Sequence, residues 1–154
     1  MFVDASQPWP KNAWYHAAWS NEIEDKPFAR TLLNEGVVLF RDKDGLAHAL
    51  EDRCWHRATP LRLGEVVEGG LQCGYHGMTF NPEGYCVRIP GQESIPRSAV
   101  IKAFPVQEKN DIVWIWMGHP EKADEKEIFH LEEFDNSGWK SHQGDALYLS
   151  LIHI

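Results

Sequence analysis

The sequence predicts an all-β protein, a small antiparallel β-sandwich. Turn-forming residues recur at about ten-residue intervals along the 154-residue chain. Between them lie short runs rich in β-branched, aromatic and aliphatic residues, the pattern of antiparallel hairpins. The run 112–117 places Ile112, Trp114 and Trp116 on one face and Val113, Ile115 and Met117 on the other. Both faces are apolar, which predicts a strand covered on both sides, as in a sandwich core.

The elements follow in order. Residues 1–11 lack a basic start followed by an apolar stretch, so no signal peptide is expected. Residues 20–26 have room for one short helical turn before Pro27. Asp42-Lys43-Asp44-Gly45 separates the strand run 37–40 from 46–50, and Glu68-Gly69-Gly70 separates 65–67 from 71–73. Asn81-Pro82-Glu83-Gly84 separates 78–80 from 85–89, and Glu108-Lys109-Asn110-Asp111 separates 103–106 from 112–117. Trp14, Trp19, Trp114 and Trp116 are assigned to the β core. Residues 120–127 are polar and charged, a linker with some helical propensity. Residues 139–148 begin something new, with 146–148 a candidate strand. The terminal hexapeptide Leu149-Ser150-Leu151-Ile152-His153-Ile154 reads like a translated sequencing adapter. It is expected to be foreign, and the chain a truncated piece of a longer one.

Composition narrows the function. Charged residues make up 25% and hydrophobic residues 43%, which is globular rather than disordered. Fifteen Lys and Arg stand against 23 Asp and Glu, a net charge of -8. That balance argues against nucleic acid and anionic membrane as partners. No apolar run approaches the roughly 20 residues of a membrane helix. Three cysteines point to a metal or redox role in a reducing compartment, hence a cytoplasmic location, rather than to a disulfide framework.

The chemistry lies in two loops, Cys54-Trp55-His56 and Cys73-Gly74-Tyr75-His76, giving C-x-H-x16-C-x-x-H. Each follows a strand and offers one thiolate and one imidazole. The motif resembles that of the Rieske [2Fe–2S] domain. The resemblance implies that Cys54 and Cys73 bind one iron and His56 and His76 the other. Two thiolates and two neutral imidazoles leave the oxidised core uncharged, so reduction is easier than at a four-thiolate site. Gly74 and Gly77 are expected to let backbone N–H groups approach the sulfurs. Zinc is the alternative for two Cys and two His, but zinc sites usually pair like with like, at C-x₂₋₄-C and H-x₃₋₅-H.

Respiratory Rieske proteins carry an extra cysteine in each loop; Thr59 and Tyr75 occupy those positions here, so that disulfide is excluded. Met78 and Phe80 stand where those proteins place Ser and Tyr hydroxyls. The implied potential is at the low end of the range, about -150 mV. That suits donation to an oxygen-activating iron. Asn12-Ala13-Trp14-Tyr15, Pro27-Phe28-Ala29-Arg30-Thr31, Ile89-Pro90-Gly91-Gln92 and the run 113–118 extend the similarity. They resemble the oxygenase component of Rieske non-haem iron oxygenases of the vanillate O-demethylase and dicamba monooxygenase type.

The resemblance implies a Rieske-type antiparallel β-sandwich with a two-loop cluster-binding subdomain over 1–119. It further implies a linker over 120–140 and the start of a catalytic domain at 141–148. That domain would hold a mononuclear Fe(II) on two His and a carboxylate. The implied partners are an NAD(P)H-dependent flavin and iron–sulfur reductase or a ferredoxin, further copies in a homotrimer, and a small aromatic substrate. A stand-alone Rieske ferredoxin or nitrite reductase small subunit is the other electron-carrier reading. His119, His130 and His142 read as surface residues, not the missing triad, and His153 lies in the suspected adapter. Cys86 is expected to be a buried free thiol, and His16 and His48 structural or surface residues. Arg57 either supports a ligand or faces solvent. The acidic run 121–133 is a solvated linker or a subunit contact. Trp55 departs from the family pattern and sits where it would shield His56 or alter partner docking.

Overall fold

A strand sends successive side chains to opposite faces, so four consecutive apolar residues need two cores. In the computed structural model, Val37, Val38, Leu39 and Phe40 are all fully buried. They belong to β3 (Glu35–Arg41). The structure describes residues 9–130, 132–135, 138–140, 142 and 144.

Val37 and Leu39 join Ala17, Ala18, Ala49, Val113, Ile115 and Met117 in one core. Val38 and Phe40 join Leu50, Leu61, Leu71, Met78, Phe80 and Ile101 in the other, which also contains Cys54 and Cys73. Three antiparallel sheets produce this layering. The first has the order β1 (Trp14–Trp19), β11 (Ile112–Trp116), β10 (Val106–Lys109). The second is β2 (Phe28–Leu32), β3, β4 (Ala47–Glu51), β9 (Ala103–Phe104). The third is the meander β5 (Glu65–Val67), β6 (Gly70–Gln72), β7 (Thr79–Phe80), β8 (Cys86–Arg88). The described residues contain no α-helix, and no helix among them is long and apolar enough to cross a membrane. The fold is the all-β antiparallel one the sequence predicts.

The doubly covered strand is β3, and β11 is only partly so. Val113, Ile115 and Met117 are buried; on the opposite face Trp116 is buried while Ile112 and Trp114 are half-buried. On that second face, Trp116 belongs to neither core cluster among the described residues. Trp14 stands edge-on to Trp116, centroids 5.5 Å apart. The indole N–H groups of Trp14 and Trp116 donate to the carbonyls of Asp124 (2.8 Å) and His119 (2.9 Å). The segment carrying those carbonyls forms two 3₁₀ turns, Pro120–Lys122 and Glu125–Glu127, followed by buried Ile128. Of the four core tryptophans expected, Trp116 is buried and Trp14, Trp19 and Trp114 are half-buried.

Two further corrections concern chain direction. The run 103–106 is divided by Pro105, which has no N–H for a ladder. Ala103 and Phe104 pair with Leu50 and Ala49, whereas Val106 pairs with Ile115. The turn then narrows to Asn110 and Asp111, both left-handed (φ 58° and 60°), a two-residue hairpin. A second such hairpin at Leu33 and Asn34 (φ 49° and 63°) joins β2 to β3. The short turn before Pro27 is a 3₁₀ turn, Ser20–Glu22. The candidate strand at 146–148 and the hexapeptide 149–154 lie outside the described residues.

Candidate metal centre

Both cysteine loops leave the end of a strand, β4 for the first and β6 for the second, and both close the same way. The N–H of Cys54 donates to the carbonyl of Thr59 (2.8 Å), and the N–H of Ala58 to that of Cys54 (2.9 Å). In the second loop the N–H of Cys73 donates to Met78 (2.8 Å), and the N–H of Gly77 to Cys73 (3.0 Å). The bonds span the same offsets, five and four residues. In both loops the fourth residue after the cysteine is left-handed, Ala58 at φ 56° and Gly77 at φ 72°. The histidines break the match, His56 being two residues past its cysteine and His76 three.

Neighbouring groups fix the two loops. The Asp52 carboxylate pairs with the Arg62 guanidinium and accepts from the Arg62 N–H (2.8 Å). The N–H of Asp52 donates to Gly36 in β3 (3.0 Å). A Cβ on Gly74 would lie 2.6 Å from the Leu63 carbonyl oxygen, so this glycine lets the second loop pack on the 3₁₀ turn Leu61–Leu63. A Cβ on Gly77 would lie 2.9 Å from Cγ of Pro90. These are the reasons for the two glycines. The backbone N–H groups of His56 and Arg57 reach the Cys54 sulfur.

The donors come in two pairs. Cys54 and Cys73 are 3% and 2% exposed and their thiols touch. Burial pushes the Cys54 thiol up to about 11, a rise that the His56 N–H opposes and the Cys73 thiol reinforces. The imidazoles of His56 and His76 are exposed, with their Nδ1 atoms 3.2 Å apart. Tyr75, also exposed, lies over the His76 ring at 3.8 Å between centroids. Two nitrogens each about 2.05 Å from one metal subtend about 100° when 3.2 Å apart, near the tetrahedral angle. Among the described residues no three His, Cys, Asp or Glu side chains converge on one metal position. Two sulfurs on one side and two nitrogens on the other fit a core of two irons.

The remaining singled-out residues, Arg57 excepted, lie apart from this centre. Cys86 is a buried free thiol whose Sγ donates to the Arg88 carbonyl, 3.4 Å, and burial raises its pKa. His48 bonds Asp42 at 2.7 Å and His16 stands edge-on to Trp19. His119 and His142 are exposed, and His130 contacts the Asn110 amide at 3.1 Å. Arg57 faces solvent. Sequence reasoning missed Asp52, Arg62 and Ala58. The first two carry a signal, opposite charges at the two ends of the loop; Ala58 carries none.

Residues 13–105 match the family described as the Rieske [2Fe-2S] domain. The toluene-4-sulfonate monooxygenase system iron-sulfur subunit of Comamonas testosteroni is 48% identical over 139 residues, 90% of this chain and 40% of that protein. The vanillate O-demethylase oxygenase subunit of Pseudomonas sp. (strain HR199 / DSM 7063) is 44% identical over 139 residues, 90% of this chain and 38% of its own length. The crystal structure of apo dicamba monooxygenase superposes with a TM-score of 0.78 and 41% identity, covering 82% of this chain and 40% of that one. The chain thus spans about 40% of the length of the relatives it matches.

Proposed function

This chain belongs to the Rieske [2Fe–2S] domain family, and from that premise we propose that residues 1–119 are the electron-relay part of an aromatic-ring hydroxylating or O-demethylating oxygenase. The observation that carries the reading is the two-and-two arrangement of donors, buried thiols against exposed imidazoles 3.2 Å apart at Nδ1. Cys54 and Cys73 hold one iron, and His56 and His76 hold the other through Nδ1. When bound, the [2Fe–2S] group supplies reversible one-electron storage. The protein's part is positional. Core side chains keep water from the two sulfurs, and the N–H groups of His56 and Arg57 point at Cys54. Tyr75 covers one face of His76, and both imidazoles present an edge to solvent through which a partner exchanges electrons.

In the whole protein, the electrons come from an NAD(P)H-dependent flavin and iron–sulfur reductase or a ferredoxin. They serve a mononuclear iron held by a domain beyond the linker at 120–140, of which 141–148 is the start. The substrate is a small aromatic compound, as the names of the sulfonate, vanillate and dicamba relatives suggest. The assembly is a homotrimer in the cytoplasm. Low-temperature EPR of the dithionite-reduced chain, with iron and acid-labile sulfide analysis, tests the ligand set. A rhombic signal of low average g is expected. A colourless, EPR-silent chain containing zinc overturns the reading.

A further inference from the structure

A shallow groove runs beside the first loop, and Cys54 and His56 form part of its lining. Trp55 and Val100 are its apolar walls, 41% and 38% exposed. Arg53 and Arg57 also line it, both exposed and neither in an ion pair among the described residues. Glu51 is the single carboxylate in the lining. Of the three arginines on residues 53–64, Arg62 is paired with Asp52, so Arg53 and Arg57 supply the positive charge here, in a chain of net charge -8.

The acidic counterpart lies at the opposite end. A second groove is lined by Glu24, Asp25, Asp42, Asp44 and Glu68, with Lys43 and an Arg41 committed to Glu108. The turns that build it, 42–46 and 68–69, enter β4 and β6, and the cysteine loops leave those same strands. The five residues of β4 separate the two charge patches by about 17 Å. The molecule is thus polarised, negative at the hairpin turns and positive beside the first loop, and Trp55 and Val100 at the positive end are the exposed large hydrophobic residues of these two linings.

We propose that the groove walled by Trp55 and Val100, with Arg53 and Arg57, is the docking site of an acidic-faced one-electron donor protein. The proposal rests on the cluster reading above. The reaction is a single outer-sphere transfer: the donor is oxidised by one electron, the [2Fe–2S] centre is reduced by one, and no bond forms or breaks. Charge polarity turns the donor away from the acidic end and towards the arginines. Trp55 and Val100 then exclude water beside the backbone of Cys54 and His56.

The test uses the full chain loaded with its cluster and a reduced plant-type [2Fe–2S] ferredoxin as the probe, with bleaching followed by stopped flow across a salt series. For Arg53→Gln/Arg57→Gln the second-order rate at low salt is expected to fall about tenfold and its salt dependence to flatten. Trp55→Ala is expected to slow reduction at every salt concentration. Lys43→Gln, in the acidic groove, and reduction by dithionite serve as controls. Wild-type rate and salt slope in the double arginine variant, with its EPR signal intact, overturn the proposal. If the wild-type chain itself lacks the rhombic signal, the cluster reading fails instead.

Discussion

The matching closure of the two loops makes Gly77 and Ala58 a paired experiment. A left-handed conformation costs an L-residue about 1–2 kcal/mol. At Gly77 (φ 72°) an added methyl meets that cost and also Cγ of Pro90 at 2.9 Å. Displacing a packed ring adds about 1 kcal/mol or more. The lower chain entropy of alanine in the unfolded state returns about 0.4–1 kcal/mol. Gly77→Ala is therefore expected to destabilise by ~2 kcal/mol, an apparent Tm lower by about 4–8 °C for a chain of this size. Ala58 already bears the conformational cost at φ 56°. Ala58→Gly relieves it and loses the entropy advantage, a net gain of ~0.5 kcal/mol, or about 1–2 °C. Thermal unfolding of the cluster-loaded chain, monitored by circular dichroism and by the visible absorbance of the centre, reads both. The opposite signs are the point. A Gly77→Ala variant as stable as wild type, or an Ala58→Gly variant that loses as much as Gly77→Ala, would refute the shared left-handed requirement.

Arg41 donates to the carbonyls of Ser20, Ile23 and Gly45 and to both carboxylate oxygens of Glu108, joining β3 to β10 across two sheets. Arg41→Met is expected to cost ~2–4 kcal/mol, and Glu108→Gln ~1 kcal/mol because that carboxylate is partly solvated. The Arg41 guanidinium holds the Glu108 carboxyl below its usual range. The pair's contribution is therefore complete above the unfolded value of about 4.3 and is lost as pH falls through the lower folded value. The stability gap between wild type and Glu108→Gln in urea titrations should close below pH about 4, and a gap that widened there would contradict the assignment. Cys86→Ala is expected to leave iron content and the EPR signal unchanged, whereas Cys54→Ser and Cys73→Ser lose both; iron analysis of the three purified variants decides it.

The sequence exposed the chemistry more fully than the layering. Two thiolate–imidazole loops at C-x-H and C-x-x-H spacing are a local pattern, and the structure brings all four side chains to one end of the fold. The all-β class was legible for the same reason, because Asx and Gly turns are written locally. Which strand is central was not. The runs 37–40 and 112–117 are both apolar on both faces, and only the packing of the meander β5–β8 on β3 separates them. Leu33 concealed a two-residue hairpin, since leucine carries no preference for a positive φ. Pro105 marked a break whose consequence, one run shared between two sheets, depends on long-range pairing. The twin closure of the cysteine loops was hidden in the same way, because Ala58 has no turn signature where Gly77 has one.

That twin closure accounts for the polarity of the centre. In each loop the cysteine stands at the neck, its N–H and C=O both tied back across the loop, and so its thiol abuts the core of Leu61, Leu71, Met78 and Phe80. The histidines occupy the tips and are exposed, although their offsets from the cysteines differ by one residue. Under the proposed ligand set, the buried thiolates would disfavour the extra negative charge of reduction, and the hydrated imidazole side would lessen that cost. With Cys54 and Cys73 as the two thiolate ligands, as proposed above, the oxidised core's two positive charges would be cancelled and reduction would take the holo-chain from -8 to -9. At physiological salt, charges beyond about 8 Å are largely screened, so most of the chain's carboxylates weigh little on the centre. The charges that matter are those on the loops themselves. On the first loop Arg62 is paired with Asp52, which leaves Arg53 and Arg57 to favour the added electron even though the whole protein is an anion.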